Sequence, residues 1–303
     1  MRTGKICALD NVSIASAQSI LKSNPELTPV KIYQFCRTLD PRNDVAPFTD
    51  IRVREAMQMA IDLPTIATTY YLGQVSPDPV SLTSYYMGGG WGLLYEQWPQ
   101  ELKDEYAYNP TAAKKLLADA GYPNGFKTNV VADASSDMDL LMIVKSYLSA
   151  VGIDMSIQSM DSTSFGNFVT TYHKQDQLAY KTSGILAANQ EPSRQLAYFM
   201  PGNVNNIINV NDPGFNALYN KAMTATSVEQ WHQILSDANL YVAEKHFTIS
   251  LLEPNVYCFI QPWLKGYNGQ LGSISGGSGG TLFMGFYGAR FWIDQNLKKS
   301  MGE

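Results

Sequence analysis

Apolar positions follow a helical period in some windows and a strand-like alternation in others. From about residue 100 onward the two patterns take turns, each closed by turn residues. The sharpest helix reads Asn109-Pro110 through Ala120-Gly121. Its Asn109 side chain can accept an orphan amide proton, Pro110 fits the first helical position, and Gly121 suits a left-handed residue past the end. A strand over Thr128–Ala132 leads into an apolar-periodic helix from Asp137 to Ala150, closed by Val151-Gly152. Alternating Ile153, Met155 and Ile157 predict the next strand, followed by a helix near Ser162–Tyr172 and a strand near Leu178–Ser183. Asp212-Pro213 caps a helix from Gly214 to about Ala225, and Ser227 with Gln230 completes a capping box for another over Val228–Lys245. Strands over Phe247–Leu252 and Val256–Ile260 follow. This succession is the pattern of an α/β protein.

Composition narrows the picture. The 303 residues suffice for about two domains of roughly 150 residues each. With 45% hydrophobic and only 16% charged residues, and with 18 Tyr and 12 Phe, the chain offers contact area more than electric field. A net charge of -5 argues against nucleic acid, whose sequence-independent binding needs a basic face. No window approaches the roughly 18 consecutive apolar residues of a membrane span. The opening residues lack the apolar stretch of a secretion signal, so any such signal is expected outside this sequence. Cys7, Cys36 and Cys258 share no close spacing and form neither a disulfide framework nor a zinc motif.

Few motifs carry chemistry. Gly276-Gly277-Ser278-Gly279-Gly280 satisfies the G-x-S-x-G nucleophile pattern. No strong helix follows it, and His173, His232 and His246 all precede Ser278, so a linker serine in a glycine-dense loop is the better reading. The histidines stand apart, without the spacing that puts two metal ligands on one face; no metal or cofactor is expected. His232 and His246, in or at the end of a helix, are read as half-exposed surface groups or as partners of a helix C-terminal dipole. Asp133, Asp137 and Asp139 crowd a strand-to-helix connection, as a charged first turn or as a cation-reading rim. Tyr85, Tyr86, Trp91, Tyr95 and Trp98, beside Gly88-Gly89-Gly90, either wall a binding cleft or plug a loop against its own domain.

The most specific text is Pro47-Phe48-Thr49-Asp50-Ile51-Arg52-Val53-Arg54-Glu55-Ala56 running into Ala60-Ile61-Asp62. It resembles the signature of the extracellular solute-binding proteins of peptide and nickel ABC transporters, the oligopeptide- and dipeptide-binding family. Further landmarks match in order: Tyr71-Leu72-Gly73-Gln74, Tyr108-Asn109-Pro110 through Gly121-Tyr122-Pro123, Val151-Gly152-Ile153 and Pro262-Trp263-Leu264-Lys265-Gly266-Tyr267. Read physically, the signature is structural: Asp50 caps a helix, and Arg52 and Arg54 flank an apolar stripe of Val53, Met57, Ala60 and Ile61.

The resemblance implies a periplasmic-binding-protein-like α/β architecture of two lobes, with ligand held between them by hinge closure. Residues 1–45 and 254–303 would form a partial first lobe made from both chain ends, and residues 46–253 the complete second lobe. Family members carry an N-terminal portion that completes the first lobe, so the chain is expected to be truncated, with weak capture unless a missing N-terminal half is supplied. The implied partners are a small-molecule or peptide ligand and an ABC transporter permease, and the implied location is extracytoplasmic. Where peptide-binding relatives place an aspartate for the ligand's amino group, this sequence has Ala188, within Gly184 to Pro192, and Val130 to Met142 contains no arginine for a carboxylate. Loss of both partners disfavours a free dipeptide. Asn189, Gln190, Glu191 and Arg194 are expected to hydrogen-bond a neutral or larger ligand, or else to satisfy a turn and the start of the next helix; Tyr86 and Trp91 are the expected aromatic walls, and Asp133 and Asp137 an acidic rim. A hydrolase-type α/β enzyme using Ser278, and a chaperone-like or protein-interaction module using the aromatic loop, are the competing expectations.

Overall fold

The computed structural model describes residues 5–33, 36–82, 93–182, 193–267 and 289–302. The chain opens with β1 (Ala8–Val12), α1 (Ile14–Ser23), β2 (Thr28–Tyr33) and β3 (Arg37–Pro41). Then come α2 (Ile51–Met59) and the single turn α3 (Leu63–Thr65), which continues as a wide helical turn over Ile66–Tyr70. After α4 (Gln100–Tyr106) and α5 (Pro110–Asp119) the alternation begins: β4 (Phe126–Asp133), α6 (Met138–Ala150), β5 (Ile153–Met160), α7 (Ser162–Phe165) and β6 (Leu178–Thr182). Next are α8 (Ser193–Tyr198), α9 (Pro213–Met223), α10 (Val228–Glu244), β7 (Ile249–Ser250) and β8 (Asn255–Ile260). Short β9 (Leu264–Lys265), β10 (Trp292–Ile293) and α11 (Gln295–Ser300) close the described chain.

Helices begin where local chemistry places them. Asn109 accepts from the amide of Ala112, Asp212 from that of Phe215 and Ser227 from that of Gln230, each satisfying a donor without an intrahelical partner. The expected capping box on α10 is shifted by one residue: Gln230 Oε1 accepts from the Thr226 amide rather than from that of Ser227. Gly121 takes φ +96 past the end of α5, as the sequence predicts.

A five-stranded sheet in the order β5-β4-β6-β3-β7 organises the larger unit. β4 runs parallel to β5 and to β6, with Val130 facing Ile157 on one side and Leu178 on the other, while β3 is antiparallel to β6 and β7. One face packs Leu39, Val130, Ala132 and Tyr180 against α2, α5 and α6. The other packs Val131 and Ala179 against Phe165, Phe215, Leu235 and Val242. Burial on both faces explains the unbroken apolar run Val130–Ala132 in a parallel sheet. Arg37–Pro41, within the segment that the family resemblance implies for the first lobe, pairs in this sheet. Backbone pairing across more than 130 residues leaves no local sequence signal.

A separate antiparallel sheet, β1-β8-β2, sets β8 between the two strands from the start of the chain. The strand expected over Phe247–Leu252 reaches only Ile249–Ser250, because the chain there crosses from one sheet to the other. Two crossings link the sheets, one between β2 and β3 and one between β7 and β8.

The family signature is structural. Asp50 caps α2 and, with Arg52, forms an ion pair at 2.6 Å, while Arg52 Nη1 donates to the carbonyl of Asp119 at the end of α5. Arg54 is buried and donates to the carbonyls of Phe48, Lys245 and His246, so its guanidinium closes the C-terminus of α10. Burial pulls its pKa down to about 10. Val53, Met57, Ala60 and Ile61 are all buried in the core.

Candidate functional site

Parallel strands of an open sheet end on one edge, and loops beyond those carboxyl ends are where α/β folds recognise ligands. On this edge β4 ends at Asp133, and the connection to α6 runs through Ser135 and Ser136 to Asp137. Asp133 Oδ1 accepts from the amide and hydroxyl of Ser135 and from the hydroxyl of Ser162 at the start of α7. Among the described residues no hydrogen bond reaches its Oδ2.

Asp137 is held more tightly. It is the N-cap of α6, accepting from the Leu140 amide. Tyr70 donates to Oδ1 at 2.7 Å and Tyr71 to Oδ2 at 3.0 Å, while Tyr180, rising from β6, donates to the Asp137 carbonyl at 2.8 Å. The Tyr70 and Tyr71 rings meet edge to face at 4.8 Å. Burial first, and the Asp137 carboxylate next, push all three phenols well above the ordinary tyrosine range, against a smaller opposing pull from Arg37. The three hydroxyls are therefore neutral donors, and both Asp137 oxygens are taken up by the protein. The sequence pattern places Asp137 on the rim but does not reveal the three tyrosines. The adjacent Tyr70-Tyr71 pair, overlapping a family landmark, was the available signal.

Asn189, Gln190, Glu191, Tyr86 and Trp91 lie outside the described residues, as do Ala188 and Ser278. Arg194 falls in α8, where only its backbone is described. Of the aromatic group, Trp98 is 4% exposed and packs edge to face on Tyr95 and Tyr106, which fits the loop-plugging reading for that part. Of the two readings for His246 the half-exposed one falls: just past the end of α10, it is 1% exposed, with Nε2 at 3.0 Å from Glu105 and its ring stacked on Tyr106. Among the described residues no group of His, Cys, Asp and Glu could hold a metal ion.

A cleft of about 380 Å³, lined by Lys114, Tyr122, Asn124 and Ser149 among others, opens at the amino ends of β4 and β5. There Gly125 and Gly152 touch backbone to backbone. It lies on the wrong edge of the sheet for a ligand site.

The family model of bacterial extracellular solute-binding proteins, family 5 middle, matches residues 1–206. The chain belongs to this family. Heme-binding protein A of Haemophilus influenzae is 26% identical over 239 residues, covering 73% of this chain and 40% of that protein. The glutathione-binding protein GsiB of Escherichia coli K12 is 30% identical over 122 residues, 38% of this chain and 21% of that protein. Among solved structures, DppA from Helicobacter pylori, in complex with the peptide STSA, superposes with a TM-score of 0.74 at 20% identity, covering 97% of this chain and 54% of that one. AgaA of A. tumefaciens R10, in complex with agropinic acid, gives 0.75 at 21% identity, covering 97% and 57%. The chain thus spans less than half the length of these curated relatives and little more than half that of the solved structures. These four relatives carry the names of binding proteins, not of enzymes. The fold is that of the periplasmic binding proteins, and among the described residues no helix is long and apolar enough to cross a membrane.

Proposed function

We propose that this chain provides the substrate-binding part of an ABC importer: it captures a peptide-like or other small solute without covalent chemistry and presents it to a membrane permease outside the cytoplasm. The family match over residues 1–206 carries the reading. Supporting it, the carboxyl ends of β4 and β6 converge on a preorganised edge whose helix start is held by three tyrosines. Residues 46–253 supply one lobe, to which β3 is added by its pairing, and residues from both chain ends contribute to the other. Asn189, Gln190, Glu191 and Arg194 hydrogen-bond the solute, Tyr86 and Trp91 flank it, and Asp133 contributes charge, while Asp137 positions the edge. Without a counter-ion at Ala188 or an arginine between Val130 and Met142, free dipeptides bind poorly.

The test is thermal unfolding and calorimetry of the chain against a panel of glutathione, heme, free dipeptides and longer peptides. A true ligand at a hundredfold excess over its Kd stabilises the folded chain by about 2.7 kcal/mol. Replacing Asn189 and Glu191 by alanine then weakens binding about tenfold, or about 1.4 kcal/mol. A panel in which nothing shifts the transition or releases heat, both for the chain alone and for the chain supplied with the N-terminal portion of a family member, overturns the reading.

A further inference from the structure

Two side chains of the three-stranded sheet reach a single residue of the larger unit. Lys31 Nζ, on β2, donates to the Gln74 carbonyl at 2.8 Å, and Tyr257, on β8, donates its hydroxyl to Gln74 Oε1 at 3.0 Å. Gln74 stands at the tip of a tight turn in which Leu72 and Gly73 both take left-handed backbone, φ 54 and 68. Such a conformation is unfavourable for leucine, and Leu72 is 44% exposed, so its side-chain packing does not account for it. The turn is closed by the Gly73 amide on the carbonyl of Ala67 and the Gln74 amide on that of Tyr71. At its other end stand Tyr70 and Tyr71, whose hydroxyls are fixed on Asp137.

We infer that residues 70–74 form a coupling strut: the position of the helix start at Asp137, on the ligand edge of the five-stranded sheet, is passed through Tyr70 and Tyr71 to Gln74, and from there to Lys31 and Tyr257 of the other sheet. The inference rests on the proposed function for its purpose, since a binding protein needs events at the ligand edge to set the angle between its sheets. Its geometry stands without any solute. Asn255 lies two residues before Tyr257 on the same strand and is 3% exposed, yet neither atom of its side-chain amide has a hydrogen-bond partner among the described residues. That buried amide makes the contact a place where the sheets are held without full polar satisfaction. Lys31, Gln74 and Tyr257 are positioning residues in this account.

The experiment measures inter-sheet distance in the full chain without ligand. Spin labels at Lys22→Cys on α1 and Ser146→Cys on α6, both exposed positions, are placed in a Cys7→Ser background; Cys36 and Cys258 are buried and escape labelling. Gln74→Ala with Lys31→Met should shift or broaden the distance distribution. Tyr70→Phe with Tyr71→Phe, which remove two hydroxyls far from the three-stranded sheet in the contact chain, should do the same. An unchanged distribution in the first pair overturns the strut. A change in the first pair but none in the second leaves Gln74 a local contact and overturns the coupling. If the first pair does not fold by circular dichroism, Tyr257→Phe, which removes one hydrogen bond and no ring packing, is read by the same two outcomes. The distances are measured without solute, so they decide on the strut even in a chain that captures nothing, and failure of the function is separable from failure of the strut.

Discussion

Both faces of the five-stranded sheet are buried under helices, whereas the three-stranded sheet β1-β8-β2 is covered by small clusters. One face of the small sheet meets Val12, Ala17 and Leu27 around Phe259, the other Tyr267 around Cys258 and Ile260. Ile6 at 49% and Leu9 at 37% exposure lie at its edge, while Val130, Val131 and Ala132 at the centre of the large sheet are at most 1% exposed. Buried apolar area is the main favourable term in folding, so the two sheets differ in how much a side chain is worth. The large sheet is a scaffold that can hold an edge loop in place. The small one gains part of its support by contact with the large unit, since Ile14 and Tyr257 pack against the same core as Leu251 and Leu252.

Three substitutions test this contrast, and the largest effect is expected at Phe215. Its ring is fully buried and contacts Phe199 and Phe247, so Phe215→Ala should destabilise the chain by about 3–5 kcal/mol in urea unfolding. A loss below about 1 kcal/mol would mean that this face of the large sheet is not the tightly packed core described.

An intermediate, pH-dependent effect is expected at His246. Burial lowers its pKa below the ordinary 6.5, Glu105 pulls it back up, and Arg54 opposes protonation. Glu55, its own pKa raised mainly by burial, and Lys245 also lie in this neighbourhood. A histidine whose folded pKa is depressed leaves stability intact above its unfolded pKa. Stability is then lost as pH falls through 6.5, because the unfolded chain binds the proton more readily. The melting temperature should drop between pH 7 and pH 5, and His246→Asn, a residue suited to the left-handed φ of 45, should flatten that slope. Equal slopes in the two proteins would remove His246 from the account.

The smallest change is expected in the three-stranded sheet. Leu9→Ser, on an exposed edge position, should alter stability by no more than about 0.5 kcal/mol in the same urea titration. A loss as large as that of Phe215→Ala would erase the difference between the sheets.

What could be read from residues alone was local. Asn109-Pro110, Asp137, Asp212-Pro213 and Ser227 announced helix starts because a cap acts within three residues, and alternation at Ile153, Met155 and Ile157 announced β5 because side-chain direction repeats every second residue. Family membership was legible from the Pro47–Ala56 signature running into Ala60-Ile61-Asp62. The site was legible only in part: Asp133 and Asp137 stood out, but not the partners that divide their roles. Tertiary structure alone decided that Arg37–Pro41 joins the large sheet, that Arg54 closes α10 some 190 residues away, and that Tyr70, Tyr71 and Tyr180 converge on Asp137. Each is a contact between segments far apart in the chain. It becomes favourable only once the sheet has brought those segments together, so no short window of sequence contains the energy that selects it.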